Sequence, residues 1–294
     1  MGGVNLEKAK IAFIGTGVMG KSIVKHLLQA GHEVTVYTRT KAKAEELLQF
    51  GAKWAETVGQ AVEGASVIFS MVGYPTDVEE VFYGSGGILE NANSQALFID
   101  MTTSSPSLAQ RMDADARERG LYTLDAPVSG GDVGAQNGTL SIMCGGAEEV
   151  FERALPFLQL FGKQIVYQGP SGAGQHTKMC NQIAIATGMI GVCEALVYGK
   201  KAGLDLDTVL QSIATGAAGS WSLSNLAPRI IKGDFEPGFY VKHFVKDMKI
   251  ALEEADRMGV ALPGLQMAKD LYAELIEEGY GEKGTQVLFM KYKN

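Results

Sequence analysis

Cysteine is scarce in this chain, with three residues, Cys144, Cys180 and Cys193, in a length of 294. An odd number set in apolar surroundings argues against a disulfide framework and for a reduced, cytoplasmic protein. The four histidines, His26, His32, His176 and His243, show no paired spacing with cysteine or acid, so no metal site is expected. A G-x-S-x-G elbow for a serine nucleophile is missing as well. Lysine and arginine total 26 against 33 aspartates and glutamates, a formal charge of −7, which speaks against a nucleic-acid partner. The most apolar segment, Ile183 to Cys193, stops at Glu194, short of the roughly 20 residues of a membrane span, so no membrane partner is expected. At the amino terminus, MGGVNLEKAK has no apolar stretch of signal-peptide length, and Leu6 stands where a myristoylation motif takes serine or threonine.

What is present is an alternation. Ala9 to Ile14 form an apolar run ending in Gly15-Thr16-Gly17-Val18-Met19-Gly20, followed by a helical pattern that closes on Gly31. A glycine motif of this spacing means little alone, but between a strand and a helix it has the context of a dinucleotide site. There Gly15 permits the turn, Gly17 lets the backbone approach a pyrophosphate, Gly20 allows close helix packing, and the helix amino terminus faces the phosphates. The second strand, Glu33 to Tyr37, ends in Thr38-Arg39-Thr40 instead of the acid that usually receives the NAD ribose. A guanidinium flanked by hydroxyls suits a 2′-phosphate, so NADP is favoured over NAD.

Further strands at Ala65 to Val72, Ala96 to Asp100 and Leu121 to Asp125 alternate with helical patterns, which implies a mostly parallel sheet covered on both faces. Ligands meet such sheets at the carboxyl ends of the strands, here Met71 and Val72, Thr102 and Thr103, and Asp125 to Gly131. Within the last of these, Ser129, Gly130 and Gly131 place a hydroxyl and two unhindered N–H groups in a turn that can hold a carboxylate. DVGAQNGTLSIMCGG reads as a loop and an added edge strand, and Phe151 to Val166 as one more helix and strand. The expected division is a Rossmann-type α/β domain over 1–169 and an all-α domain over 170–294, built around one long interdomain helix from Ser171 to Gly203. Lys178, Asn181 and Gln182 share one face of that helix. Ile183, Ile185, Met189, Ile190 and Val197 give it an apolar surface to bury against other helices or a second subunit. Ser220, Trp221 and Ser222 either wall a small acid or form a helix cap and a core residue.

FIGTGVMG, the strand end with arginine, DMTTSSP, DAPVSGG, GAGQHTKMCNQ and FYVKHFVKDMKIA occur in one order along the chain. That series resembles the beta-hydroxyacid dehydrogenase family, the group of 3-hydroxyisobutyrate dehydrogenase, tartronate semialdehyde reductase and glyoxylate/succinic semialdehyde reductase, across essentially its whole length. The resemblance implies hydride transfer between a nicotinamide and a small beta-hydroxyacid or its semialdehyde, in a homodimer or higher homo-oligomer. By that resemblance Lys178 is the catalytic acid and base, Ser129 with Gly130 and Gly131 holds the substrate carboxylate, and Thr103 and Lys246 contact the cofactor. Phe239 and Asp247 match positions lining or supporting the site. The family usually carries asparagine four residues after the lysine; this chain has Gln182 there, preceded by Asn181. A catalytically silent NADP-binding or scaffold relative, or an imine reductase, is the alternative, and the presence of Lys178 favours the dehydrogenase. The related decarboxylating sugar-phosphate enzymes have a much larger helical domain.

Free lysine titrates near about 10.4, too high for ready proton exchange at neutral pH. Burial, the cation of Lys246 and the positive end of its own helix are the three features expected to lower Lys178.

Overall fold

A computed structural model describes residues 8–292, so the reading of the amino terminus around Leu6 lies outside the described residues. The chain divides into two compact units between Lys178 and Met179, inside the long helix.

The first unit is built on one sheet. Its strands are β1 (Lys10–Ile14), β2 (Glu33–Tyr37), β3 (Lys53–Trp54), β4 (Val67–Ser70), β5 (Leu97–Asp100), β6 (Tyr122–Asp125), β7 (Val128–Ser129), β8 (Leu140–Gly146) and β9 (Gly162–Gly169). They lie in the order β3-β2-β1-β4-β5-β6-β8-β7, with β9 paired to β8. The neighbours from β3 through β6 are all parallel, which is the doubly wound Rossmann order.

Side-chain alternation explains why both faces are covered. Ile11, Phe13, Val67, Phe69, Leu97 and Ile99 enter one apolar core with Leu27 and Val36. Their neighbours Ala12, Ile14, Ile68 and Phe98 enter another with Val78 and Phe82. Strands apolar at all but one end position therefore supply two cores at a period of two.

The stretch expected to be a loop and an edge strand differs. Gly131–Asn137 is a helix, ended by Gly138 in the left-handed region (φ 64°). β8 is an interior strand, antiparallel to β6 and β7 and parallel to β9. Tight glycine spacing hid the helix, and the reversal of direction that makes β8 interior is a tertiary choice with no local signature.

The second unit is helical. The long helix runs Ala173–Lys201 over 29 residues and is followed by Leu206–Ile213, Trp221–Asn225, Ala227–Ile231, Val241–Arg257 and Pro263–Glu277. Met189, Cys193 and Leu196 enter its core with Phe244, Met248 and Tyr272, while Ile183, Ile185, Ile190 and Val197 pack partly buried against it. By length and composition alone the long helix is apolar enough to cross a membrane, a test that core helices also pass. A 3-10 segment, Thr285–Tyr292, closes the unit, with Val287 and Leu288 buried.

Candidate functional site

At the end of β1 the backbone turns on Gly15, whose φ is +99°, and a Cβ there would lie 2.2 Å from the Met71 carbonyl oxygen. The turn passes directly into the helix Val18–Gln29, whose N-cap is Gly17. No side chain caps this helix, and its first turn has no acid, so its leading N–H groups and positive dipole face outward unsatisfied. Over Gly17 nothing lies within 4 Å of where a Cβ would stand. Thr16 is 1% exposed and its hydroxyl has no hydrogen-bond partner. Open backbone, an uncapped helix end and an orphaned hydroxyl together fit the pyrophosphate of a dinucleotide. Val18 is exposed, Met19 half-buried and Gly20 buried in the first turn.

β1 lies between β2 and β4, so this loop sits where the strand order reverses, the place at which open α/β sheets bind ligands. Met71 and Val72 follow β4, and Val72 donates its N–H to the Thr102 hydroxyl at 3.0 Å. Thr103 follows half-buried. At the end of β2, Thr38 is half-buried and Arg39 and Thr40 are exposed. Arg39 pairs with Asp77 at 3.2 Å, with 74% of its side chain exposed. Asp77 also accepts the Tyr74 N–H at 3.0 Å.

Past β6 the chain runs through Ser129, half-buried at the end of β7, to Gly130 and Gly131, both at positive φ (127° and 63°). Lys178 lies on the long helix, 7% exposed. In the second unit Gln182 is fully buried and donates its amide N–H to Asp247 Oδ2 at 2.6 Å, while its amide oxygen accepts from Asn181 Nδ2 at 2.8 Å. Asp247 also pairs with Lys246 at 2.9 Å. Phe239 is half-buried, its ring 5.6 Å from that of Phe244. Ser220 caps its helix by accepting the Leu223 N–H at 3.0 Å, but Trp221 is 64% exposed and is no core residue.

Two of the features expected to lower Lys178 come with carboxylates of their own. Lys246 is paired with Asp247, and the amino end of the long helix is met by Asp125, which accepts from Gly172 N at 2.7 Å and Gln175 N at 2.8 Å. Burial pushes the Asp125 carboxyl up to about 7, against those two amide hydrogen bonds and with the Asp100 charge adding to the rise. Asp100 accepts from the Ser70 hydroxyl at 2.7 Å and from Thr102 N at 3.0 Å. The sequence offered a signal for both acids, since each is the charged last residue of a strand with no other charge, and they are register partners on β5 and β6.

Residues 10–169 match the family model for the NAD-binding domain of 6-phosphogluconate dehydrogenase, and residues 172–290 match that for the NAD-binding domain of NADP-dependent 3-hydroxyisobutyrate dehydrogenase. The chain belongs to the beta-hydroxyacid dehydrogenase family. It is 40% identical to 2-hydroxy-3-oxopropionate reductase of Escherichia coli, over 90% of each chain. To an uncharacterized oxidoreductase of Bacillus subtilis it is 62% identical, over 96% of this chain and 98% of the other. An NAD-dependent L-serine dehydrogenase of Pseudomonas aeruginosa is 35% identical, over 95% and 96%. Among solved structures, 3-hydroxyisobutyrate dehydrogenase of Mycobacterium tuberculosis with L-serine superposes with a TM-score of 0.90 at 29% identity, over 98% of this chain and all of that one. As a member of this family the protein is an NAD(P)-dependent oxidoreductase of the beta-hydroxyacid dehydrogenase type.

Proposed function

We propose that this chain reduces a small semialdehyde to its beta-hydroxyacid with NADPH, and oxidises it in reverse, with Lys178 as the proton donor and acceptor. The observation that carries this reading is a lysine 7% exposed on the helix that follows a complete dinucleotide cradle. Lysine is seldom buried, and buried titratable groups cluster at functional sites. The nicotinamide, when bound, supplies or takes the hydride at the substrate carbon. Gly15 to Gly20 receive the pyrophosphate, Thr38, Arg39 and Thr40 the 2′-phosphate, and Met71, Val72, Thr103 and Lys246 the remainder of the cofactor. Ser129, Gly130 and Gly131 hold the carboxylate. Lys178 gives a proton to the carbonyl oxygen as it becomes a hydroxyl, and takes it back in oxidation. Asn181 and Gln182 present amides beside it, and Asp247 fixes Gln182. Phe239 lines the substrate end.

Arg39 supports NADPH because its ion pair with Asp77 is exposed, and such pairs contribute at most about 1 kcal/mol, so a phosphate can take its place. The exposed residues Ala184, Gly188, Gly191 and Ala195 on the long helix support a homo-oligomer. An L-serine dehydrogenase among the relatives favours one second reading, oxidation of a three-carbon hydroxy amino acid with NAD.

The test is absorbance loss from NADPH and from NADH with glyoxylate, succinic semialdehyde, tartronate semialdehyde and methylmalonate semialdehyde, and absorbance gain from NAD and NADP with L-serine. Turnover that prefers NADPH and disappears in Lys178→Ala, with NADPH binding intact, is the expected result. Cofactor binding with no turnover on either side of the panel would reduce the chain to a silent binder.

A further inference from the structure

The first turn of the long helix cannot cap itself. Its N-cap position is Gly172, with no side chain, and the three residues after it are alanine, glycine and Gln175. The cap comes from a distant strand. Asp125, at the end of β6 and 4% exposed, spreads one carboxylate over two donors, Gly172 N on Oδ1 and Gln175 N on Oδ2. These are the N–H groups that a serine and glutamate pair would serve locally in a capping box.

A second attachment lies on the same turn. Gln175, fully buried, donates Nε2 to the Thr102 carbonyl at 2.7 Å and accepts from Ser104 N at 2.9 Å, which fixes it to the loop after β5. The approach is close on the third side too, where a Cβ on Gly174 would stand 2.3 Å from the Met143 carbonyl oxygen and 2.8 Å from Asp125 Oδ2. The turn is thus held in rotation and in height by groups at the end of β6 and just after β5, with the middle of β8 packed close against it. Lys178 is three residues beyond Gln175, one helical turn along the same face.

We propose that Asp125, acting with Gln175, is the positioning residue for Lys178. This rests on the role given to Lys178 above. The carboxylate touches no reacting atom; it sets the rotation and height of the helix turn from which the lysine projects. Asp125→Asn is the sharp variant, because an amide can accept from one of the two N–H groups but turns a donor toward the other. Gln175→Met removes the second attachment at similar volume and reads the same effect if the first variant folds poorly.

Two measurements on the full chain separate the outcomes. In the first, kcat and KM are taken with the best substrate of the panel, together with the NADPH dissociation constant. The expected result is a kcat lowered tenfold or more in both variants, with KM and NADPH binding within about threefold. The second needs no turnover: acetic anhydride labels the folded protein, and peptide mass spectrometry compares Lys178 with Lys200 and Lys201. Asp125→Asn is expected to raise the rate at Lys178 at least threefold relative to the other two. Parental kcat, or an unchanged labelling ratio in both variants, overturns the proposal. A changed ratio in a protein whose parent reduces nothing on the panel overturns the reductase reading and leaves the positioning role standing.

Discussion

One methyl group placed at two glycines of the nucleotide loop should give opposite results. At Gly15 the backbone sits at φ +99°, and the new Cβ would meet the Met71 carbonyl oxygen at 2.2 Å and its carbon at 2.9 Å. An L-residue in that region costs about 1–2 kcal/mol, and overpacking against backbone that cannot swing aside adds about 1–3 kcal/mol. Gly15→Ala should therefore lose roughly 2–5 kcal/mol, which for a unit of this size lowers the melting temperature by roughly 4–20 °C. At Gly17 the backbone is extended, with φ −70° and ψ −168°, and a Cβ meets nothing within 4 Å. Gly17→Ala should change stability by less than about 1 kcal/mol, the range of an N-cap glycine-to-alanine exchange. Its methyl group would instead stand where the pyrophosphate approaches, and NADPH binding should weaken on the order of tenfold to a hundredfold. Differential scanning fluorimetry and a nicotinamide fluorescence titration read both variants side by side. Gly15→Ala melting at the parental temperature would refute the close approach to Met71, and Gly17→Ala binding NADPH at the parental affinity would refute the cradle.

Three further outcomes are expected. Arg39→Ala should weaken NADPH binding by tenfold or more in a titration, with NADH unchanged and stability within about 0.5 kcal/mol, because the arginine is exposed and its partner Asp77 keeps its own helix contact. Asp247→Ala should destabilise the second unit by about 1–3 kcal/mol in thermal denaturation, because it leaves the buried Gln182 amide without its acceptor, whereas Asp247→Asn should cost less. Burial, followed by the Lys246 and Lys242 cations, lowers the His243 pKa below its ordinary value. The folded state then favours neutral imidazole, so the contribution of His243 is intact above about pH 6.5 and is lost as the pH falls through the lowered value. The melting temperature of His243→Gln should accordingly fall less than that of the parent between pH 7 and pH 5.

Much of this protein could be read from residue order because the strands at the centre of its sheet are short and mostly apolar, and β5 and β6 each end in an acid. β1, β2 and the helix after Gly17 are local decisions, made by Ile11 to Ile14, by the alternation of Glu33 to Tyr37 and by an N-cap glycine. The glycine turn after β1 was legible for the same reason, but the close approach of Gly15 to the Met71 carbonyl was not. The capping of the long helix was not, because Asp125 lies some fifty residues away in sequence and nothing local marks an acid as a cap for a helix it does not begin. The interior position of β8 was hidden likewise, because pairing with β6 on one side and β9 on the other is decided only when the chain returns. Trp221 shows the opposite failure for one of its two readings: beside a capping serine it suggested a pocket wall or a core residue, and at 64% exposed it is no core residue.

The central place of β1 has a consequence for synthesis. β1 has Ile11 to Ile14 no more than 1% exposed in the finished protein, and its two edges are covered by β2 and β4. β2 follows soon, but the other edge stays open until Val67–Ser70 has emerged, roughly 50 residues after β1 ends, or about 3 to 10 s at ordinary rates of translation. For that interval the nascent chain carries an apolar two-stranded ribbon with an unpaired edge, a form that in water is marginal by itself and sticky toward its neighbours on a polysome. Expression yield should therefore depend more on how promptly β4 docks than on the stability of the finished sheet.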